Sequence, residues 1–280
     1  PIEVRARITA VCGGALLTPN LLRKSRKLEI NRRELGRNLT IHPATKVLAL
    51  MEEEVRCWEG VPQGYCIDHF AEEGMMFEGS SVPPEYGSAA IPFAGRAHLE
   101  LMRHYDRLTS FGFLVSDRPI GRVRPGPGGR PFIRYDIGEV EMKGIVKGIE
   151  ILCDLFLSVG ARKCFAPVFG FETIRSAADI EAFKRHRLRP NELELAAFHP
   201  LGTCRMGSDP ERSVVDGNLE VHGTRNLFVV DGSVFPSSLG VNPQMTIMAF
   251  ATRTAERIAR RLGRMHATEE TESVEERLQG

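Results

Sequence analysis

The stretch 196–262 constrains the fold of this chain more than any other. It contains a Gly- and Pro-rich turn, a short apolar run typical of a strand, and a long pattern typical of a helix. The apolar run 227–230 is bounded by turn residues, which is typical of a buried strand. This run ends in Asp231-Gly232, and open α/β sheets bind their ligands at the carboxyl ends of their strands. The stretch therefore predicts an α/β arrangement with a ligand site at this strand end.

A long helix is predicted to begin at Pro243 with Asn242 as its N-cap, because these residue types favour the first positions of a helix. Apolar residues then recur at spacings of three and four, which places them on one buried face. The polar sequence that follows Gly263 predicts a frayed tail. The predicted buried face consists of Ile247, Ala251, Ala255, Ile258 and Leu262.

A histidine, His199, lies in a Gly- and Pro-rich turn at 199–203, ahead of the predicted strand. A neutral imidazole suits the role of a general base because its unperturbed pKa is near 6.5. From the residues alone, two other interpretations stay open: a core histidine in a turn, and an Asn242 that only caps its helix. A second histidine, His42, directly precedes a proline and is interpreted as structural.

The amino-terminal residues predict a strand, a tight turn and a helix. Residues 2–11 alternate imperfectly between apolar and polar types, as in a strand. The glycines at 13–14 let the backbone approach a ligand closely. The Thr-Pro pair at 18–19 fits the start of a helix.

The middle of the chain carries no motif that points to a particular chemistry. Residues 44–135 have the pattern of strands joined by irregular connections. A helix is predicted over 137–159, with Asp136 as its cap.

Four sequence blocks carry the most specific signal. They are HPLGTCRMG (199–207), VVDGNLEVHG (214–223), NLFVVDGSVFP (226–236) and NPQMT (242–246). In order and spacing they resemble the carboxyl-terminal signature of the glucose–methanol–choline (GMC) oxidoreductases, flavoenzymes that oxidise alcohols. A further resemblance lies at 13–25 and 35–43. The family usually continues the first of these segments as Ser-Gly-aliphatic-Gly, whereas here Ser25 is followed by Arg26.

The resemblance implies an α/β (α+β) fold with two parts. One part is an incomplete FAD-binding, Rossmann-like domain, and the other is a substrate domain with an antiparallel sheet and helices on one face. The implied boundaries are 1–44 for the end of the FAD-binding domain and 45–195 for the substrate domain. Residues 196–265 then form the catalytic segment and the return to the FAD-binding domain, and 266–280 form a polar tail.

The resemblance also implies the site residues of an FAD-dependent alcohol oxidase or dehydrogenase. His199 matches the catalytic base, and Asn242 matches its partner, which is His or Asn in different members. The amino terminus of the helix at 243 would stabilise the anionic edge of reduced flavin, because the first amides of a helix lack intrahelical partners. The implied cofactor-binding residues are Gly14, Asp231, Gly232, Pro243, Gln244, Met245 and Thr246.

No G-x-G-x-x-G motif follows a predicted strand, although the family carries this phosphate-binding fingerprint at its amino terminus. We therefore expect this chain to be the carboxyl-terminal half of a longer enzyme, and its missing partner is the amino-terminal FAD-binding half. Alone, it is expected neither to hold FAD nor to oxidise alcohol. The alternative is a non-catalytic fragment or subunit that needs that other half.

Composition excludes several other function classes. The net charge of +1 gives no global field that would recruit nucleic acid or an anionic membrane. No apolar run approaches the roughly 20 residues of a membrane-spanning helix, so no integral membrane segment is expected. The substrate is expected to be a small-molecule alcohol. Which alcohol, and whether oxygen or another molecule accepts the electrons, stays open.

The six cysteines show neither C-x-x-C nor zinc-finger spacing, so no metal site is expected. Separate reduced thiols are the expected state, and they favour a cytoplasmic location. A cysteine-dependent hydrolase that uses Cys204 beside His199 is a rival interpretation of the turn, but no third catalytic group is visible.

Overall fold

The computed structural model describes the backbone of residues 2–279 and the side chains of residues 2–264. The strands are β1 (Thr9–Val11), β2 (Ala44–Met51), β3 (Cys66–Ile67), β4 (Met75–Gly79), β5 (Leu108–Val115), β6 (Arg122–Pro125), β7 (Pro131–Arg134), β8 (Ala161–Phe165) and β9 (Leu227–Val229). The helices are α1 (Gly14–Lys24), α2 (Pro84–Gly87), α3 (Gly95–Met102), α4 (Glu139–Ser158), α5 (Ala177–Arg185) and α6 (Gln244–Gln279). The mixed helix-and-sheet fold expected from the sequence is confirmed.

Two segments distant in sequence form the first body of the structure. Strand β1 pairs in parallel with β9, with Thr9 opposite Leu227. The amide of Gly14 donates a 2.8 Å hydrogen bond to the Asp231 carboxylate just beyond β9. The amino-terminal turn and the end of the strand at 227–230 thus lie together, whereas β1 covers only the last part of the strand predicted over 2–11.

The second body is an antiparallel five-stranded sheet in the order β3-β4-β5-β2-β8. Helix α4 packs on β2, β5 and β8, and α5 packs on α4. Gly148 permits this packing, because a Cβ there would collide with the ring of Phe113. Between helix and sheet lies a core that includes the fully buried Ile145, Ile149 and Leu152. The antiparallel sheet expected for the middle of the chain is confirmed.

The opposite face of this sheet is covered at one end only. There, Leu101 of α3 packs against a cluster that contains Leu48, Leu50 and Phe165. Residues on the rest of that face, from β2, β4 and β5, line a cavity instead. The strand register thus decides which side chains face the core and which face the cavity.

Helix α4 has a different cap from the predicted one. The Glu141 carboxylate accepts a hydrogen bond from the amide of Gly138 at the helix start. Asp136 instead accepts from the Arg134 guanidinium, so its prediction as the cap was wrong. The Glu141 carboxylate also binds Arg118, and these bonds hold the pKa of this buried acid at about 2.

The carboxyl-terminal helix differs from its prediction at both ends. Helix α6 begins at Gln244, one residue later than predicted, and continues to Gln279 through the predicted polar tail. Good helix formers such as Ala, Glu and Arg predominate after Gly263, and no proline interrupts them. Ala255, predicted on the buried face, is exposed, and Thr254 is buried in its place. Residue 254 lies about two helical turns after Ile247 and therefore on the same face of the helix. None of the helices within the described residues is long and apolar enough to cross a bilayer.

Helix α1 begins four residues before the predicted start at Thr18, so Pro19 lies inside it. A proline cannot donate to the carbonyl four residues earlier, which here belongs to Ala15. The hydroxyl of Thr203 donates to that carbonyl at 2.7 Å and replaces the missing backbone bond. The fully buried Thr203 thereby joins the 199–203 turn to α1.

We predict that Thr203→Val lowers the free energy of unfolding by about 1–3 kcal/mol, because the isosteric change leaves the Ala15 carbonyl buried without a donor. The measurement is urea-induced unfolding, with Thr203→Ser as the control that keeps the hydroxyl. If the valine variant is as stable as the wild type, the bond from Thr203 does not stabilise this junction.

Candidate active site

A cavity of about 910 Å³ lies between the two bodies. This volume falls within the usual range of cofactor and substrate sites, about 300–1,000 Å³. Most of the sequence-predicted site residues line this cavity: Gly14, His199, Gly232, Asn242, Pro243 and Gln244. The other predicted residues, Asp231, Met245 and Thr246, are not among the described residues that line it.

The turn that carries His199 is fixed by a glycine in a left-handed conformation. Gly202 has φ +87°, and a Cβ there would collide with the Asn38 carbonyl. The backbone of Leu201 pairs with Thr40, which ties the turn to the segment before β2. These contacts explain why His199 is held at the cavity wall.

The imidazole of His199 is suited to accept a proton. Partial burial lowers the pKa of His199 below its usual 6.5, and the negative charge of Glu78 opposes this shift. At neutral pH the ring is therefore uncharged and has a free basic nitrogen. This is the state that a general base requires.

Asn242 reaches across the cavity to the sheet and does not cap its helix. Its Nδ2 donates a 2.6 Å hydrogen bond to Oε1 of Glu78 on β4. Residue 243 precedes the first residue of α6, and its carbonyl accepts the amide of Ile247 at 2.9 Å. The prediction of Asn242 as N-cap was therefore wrong, and its side chain faces the cavity wall formed by Glu78.

The sheet contributes a row of cavity residues that the sequence analysis did not identify. The strand register sets Gly112 between Glu78 and Lys46, and all three line the cavity. A Cβ added to Gly112 would make only ordinary contact, so this glycine leaves space above the sheet. No local motif marks these residues, because the pairing of three strands brings them together.

Asp231 lies behind the cavity wall. Its carboxylate accepts from the Gly14 amide at 2.8 Å, the Thr18 hydroxyl at 2.6 Å and the Ser233 amide at 2.8 Å. The side chain is buried, with 8% of its surface exposed. In this arrangement Asp231 holds the two turns that carry Gly14 and Gly232.

The cavity wall fits a flat ring with an anionic edge, which is the form of reduced flavin. Gly14 has φ +74°, and a Cβ there would meet nothing within 4 Å, so a ring can approach this backbone. Gln244 begins α6 at the same cavity, and its helix terminus presents amides without intrahelical acceptors. The residues present therefore fit the flavin ring of FAD.

The cysteine-hydrolase interpretation of the turn was wrong. Cys204 is fully buried, and burial raises the pKa of its thiol well above the usual value. A nucleophilic cysteine needs an accessible thiolate. The six cysteines, all within the described residues, form no disulfide, and those residues contain no cluster that could hold a metal ion.

A family model described as GMC oxidoreductase matches residues 121–251. An uncharacterized GMC-type oxidoreductase of Mycobacterium tuberculosis is 36% identical over 259 residues, which are 91% of this chain and 40% of that protein. A long-chain-alcohol oxidase of Arabidopsis thaliana is 27% identical over 270 residues, covering 89% of this chain and 36% of that protein. The chain thus spans about two fifths of the length of these relatives.

Solved structures share the fold. The structure of an Aspergillus oryzae formate oxidase, from work on the effect of a mutation on FAD modification, superposes with a TM-score of 0.62 at 17% sequence identity. The match covers 90% of this chain and 54% of the oxidase.

We predict that Glu78→Gln lowers the pKa of His199 further, since it removes the charge that opposes the effect of burial. The measurement is an NMR titration of the His199 imidazole. Glu194→Gln is the matched control, because Glu194 lines the same cavity but does not shift this pKa. A His199 pKa that is unchanged or raised in Glu78→Gln would contradict the assigned role of Glu78.

Proposed function

The chain belongs to the GMC oxidoreductases, and we propose that it supplies the catalytic and substrate-binding part of an FAD-dependent enzyme that oxidises the CH–OH group of an alcohol. One observation carries the proposal. His199, Asn242, Gly14 and the start of α6 line a single cavity, although they come from separate parts of the sequence.

FAD would lie against the turn at Gly14 and the amino terminus of α6. The backbone of Gly14 allows close approach of the ring, Gly232 lines the same cavity, and Pro243 and Gln244 bring the helix terminus to it. The amides of 245–246 add to the positive end of the helix dipole. When bound, FAD supplies the acceptor for the hydride that leaves the alcohol carbon.

The base in this proposal is His199. Its neutral imidazole takes the hydroxyl proton of the alcohol, and the lowered pKa keeps the ring ready for this step at neutral pH. Asn242 would hold the substrate oxygen but cannot take the proton. His199 is then the single base of the site.

Glu78 supports this arrangement from the sheet. Its bond to one N–H of Asn242 Nδ2 fixes which end of the amide faces β4 and leaves the second N–H to donate to the substrate oxygen. Fixing a polar group in advance lowers the cost of orienting the substrate. The open space above Gly112 would accommodate the rest of the alcohol.

We predict that His199→Ala lowers kcat by about 10²–10⁴-fold in the flavin-containing enzyme, the usual contribution of a positioned general base. Steady-state alcohol oxidation measures this loss, and the flavin absorbance shows whether the cofactor stays bound. His69→Ala is the control, because this exposed histidine does not line the cavity. Near-normal turnover by His199→Ala would contradict the role of His199 as base, and loss of flavin would indicate a structural role.

We also predict that residues 1–280, expressed alone, do not retain FAD. The sequence contains no G-x-G-x-x-G motif after a strand that could bind the cofactor's pyrophosphate, and the cavity residues described above would contact only the ring region. The measurement is flavin absorbance after gel filtration, with and without an added amino-terminal FAD-binding half. A yellow protein that oxidises alcohols by itself would overturn this prediction. Flavin retention without turnover, even with the added half, would favour the non-catalytic alternative.

A further inference from the structure

His42 occupies a backbone conformation that the surrounding structure must hold in place. It is fully buried just before β2 and has φ +48°, in the left-handed region that residues other than glycine rarely adopt. The Asp117 carboxylate accepts the amides of Ile41 and His42 at 2.9 and 3.1 Å. Tyr135 donates its hydroxyl to the same carboxylate at 2.9 Å. A strained residue held so firmly suggests a role beyond packing.

The imidazole of His42 bonds to two different loops of the cavity wall. Its Nε2 accepts the amides of Leu239 and Gly240 at 3.0 and 3.2 Å, in the loop that leads to Asn242. Two N–H donors at Nε2 leave no room for a proton there, so the proton of the neutral ring is on Nδ1. Nδ1 lies 3.5 Å from the carbonyl oxygen of His199 and donates towards it.

The ring can form both sets of contacts only when it is neutral. A proton on Nε2 would face the amides of Leu239 and Gly240 and break the bonds to them. Burial lowers the pKa of His42, and the Asp117 carboxylate and the bond to the His199 carbonyl only partly oppose this shift. These hydrogen bonds of His42 to Leu239, Gly240 and His199, which we call the His42 bridge, are therefore intact at neutral pH. They are lost as the pH falls through this lowered pKa.

We propose that His42 is a positioning residue that holds the backbone of His199 and the loop of Asn242 at a fixed separation. This inference rests on the proposed function, in which both side chains act on one hydroxyl. A single buried ring then couples the base to the group that holds the substrate oxygen. Its own side chain contacts neither substrate nor cofactor in this account.

Two substitutions each remove one half of the hydrogen bonds in the His42 bridge and keep the other half. His42→Asn places an amide N–H near the position of Nδ1, which keeps the donor towards His199 and removes the acceptor for Leu239 and Gly240. His42→Gln places a carbonyl oxygen near the position of Nε2, which keeps that acceptor and removes the donor. Asparagine also tolerates the left-handed backbone well, so folding is expected to survive.

Each of the two variants should change a different kinetic constant in the flavin-containing enzyme. His42→Asn frees the loop of Asn242 and should raise KM for the alcohol about 10-fold, with a smaller change in kcat. His42→Gln frees the His199 backbone and should lower kcat about 10-fold, with KM nearly unchanged. His222→Asn is the control for the loss of a partly buried hydrogen bond, because Nε2 of His222 bonds Ser213 and the Gly207 carbonyl and His222 does not line the cavity. It is expected to lower Tm without separating kcat from KM.

Amide hydrogen exchange provides a readout that does not depend on turnover. The amides of Leu239 and Gly240 should be protected in the wild type and in His42→Gln but should exchange faster in His42→Asn. Equal exchange in all three proteins, or wild-type kcat and KM in both variants, would overturn the proposal. If the wild type oxidises no alcohol, the proposed function fails, and the exchange pattern still tests the bridge.

Discussion

The structure depends on the buried carboxylate of Asp231, which holds together two segments distant in the sequence. It accepts hydrogen bonds from Gly14 and Thr18 of α1 and from Ser233 beyond β9. These bonds satisfy amides at the start of α1 and in the turn after β9, so each turn is fixed in relation to the other. The cavity wall at Gly14 and Gly232 follows from this one side chain. Both glycines line the cavity, and the carboxylate behind them sets the separation of their turns.

A second side chain also joins distant segments, because it replaces a backbone hydrogen bond that a proline prevents. Pro19 removes a helix bond, and Thr203 supplies the replacement donor to Ala15. Through this bond the 199–203 turn is attached to α1. His199 is thus positioned in part by the helix whose first residues, Gly14 and Ala15, line the same cavity. Fold and site therefore share their stabilising contacts.

The sequence predicted the features that local patterns determine and missed those that strand pairing determines. The apolar run ending at Asp231 and the Asn-Pro pair before α6 located the strand and the start of the helix to within about one residue. Asn242 was nevertheless assigned as N-cap, because its partner Glu78 lies 164 residues away and only the folded sheet brings them together. Helix α6 also passed its predicted end, since Gly263 alone does not stop a helix rich in Ala, Glu and Arg. Lys46, Gly112 and His42 could not be found from spacing, because their roles arise from register and burial.

The central claim is that the turn at Gly14 and the start of α6 hold a flavin ring beside His199 and Asn242. A crystal structure of the flavin-containing enzyme with a bound, non-reacting alcohol analogue tests it most directly. The account predicts the ring edge at the amides of the first turn of α6, and the analogue hydroxyl within about 3 Å of both His199 and Asn242. A flavin bound elsewhere, or a hydroxyl beyond hydrogen-bond reach of His199, would contradict it.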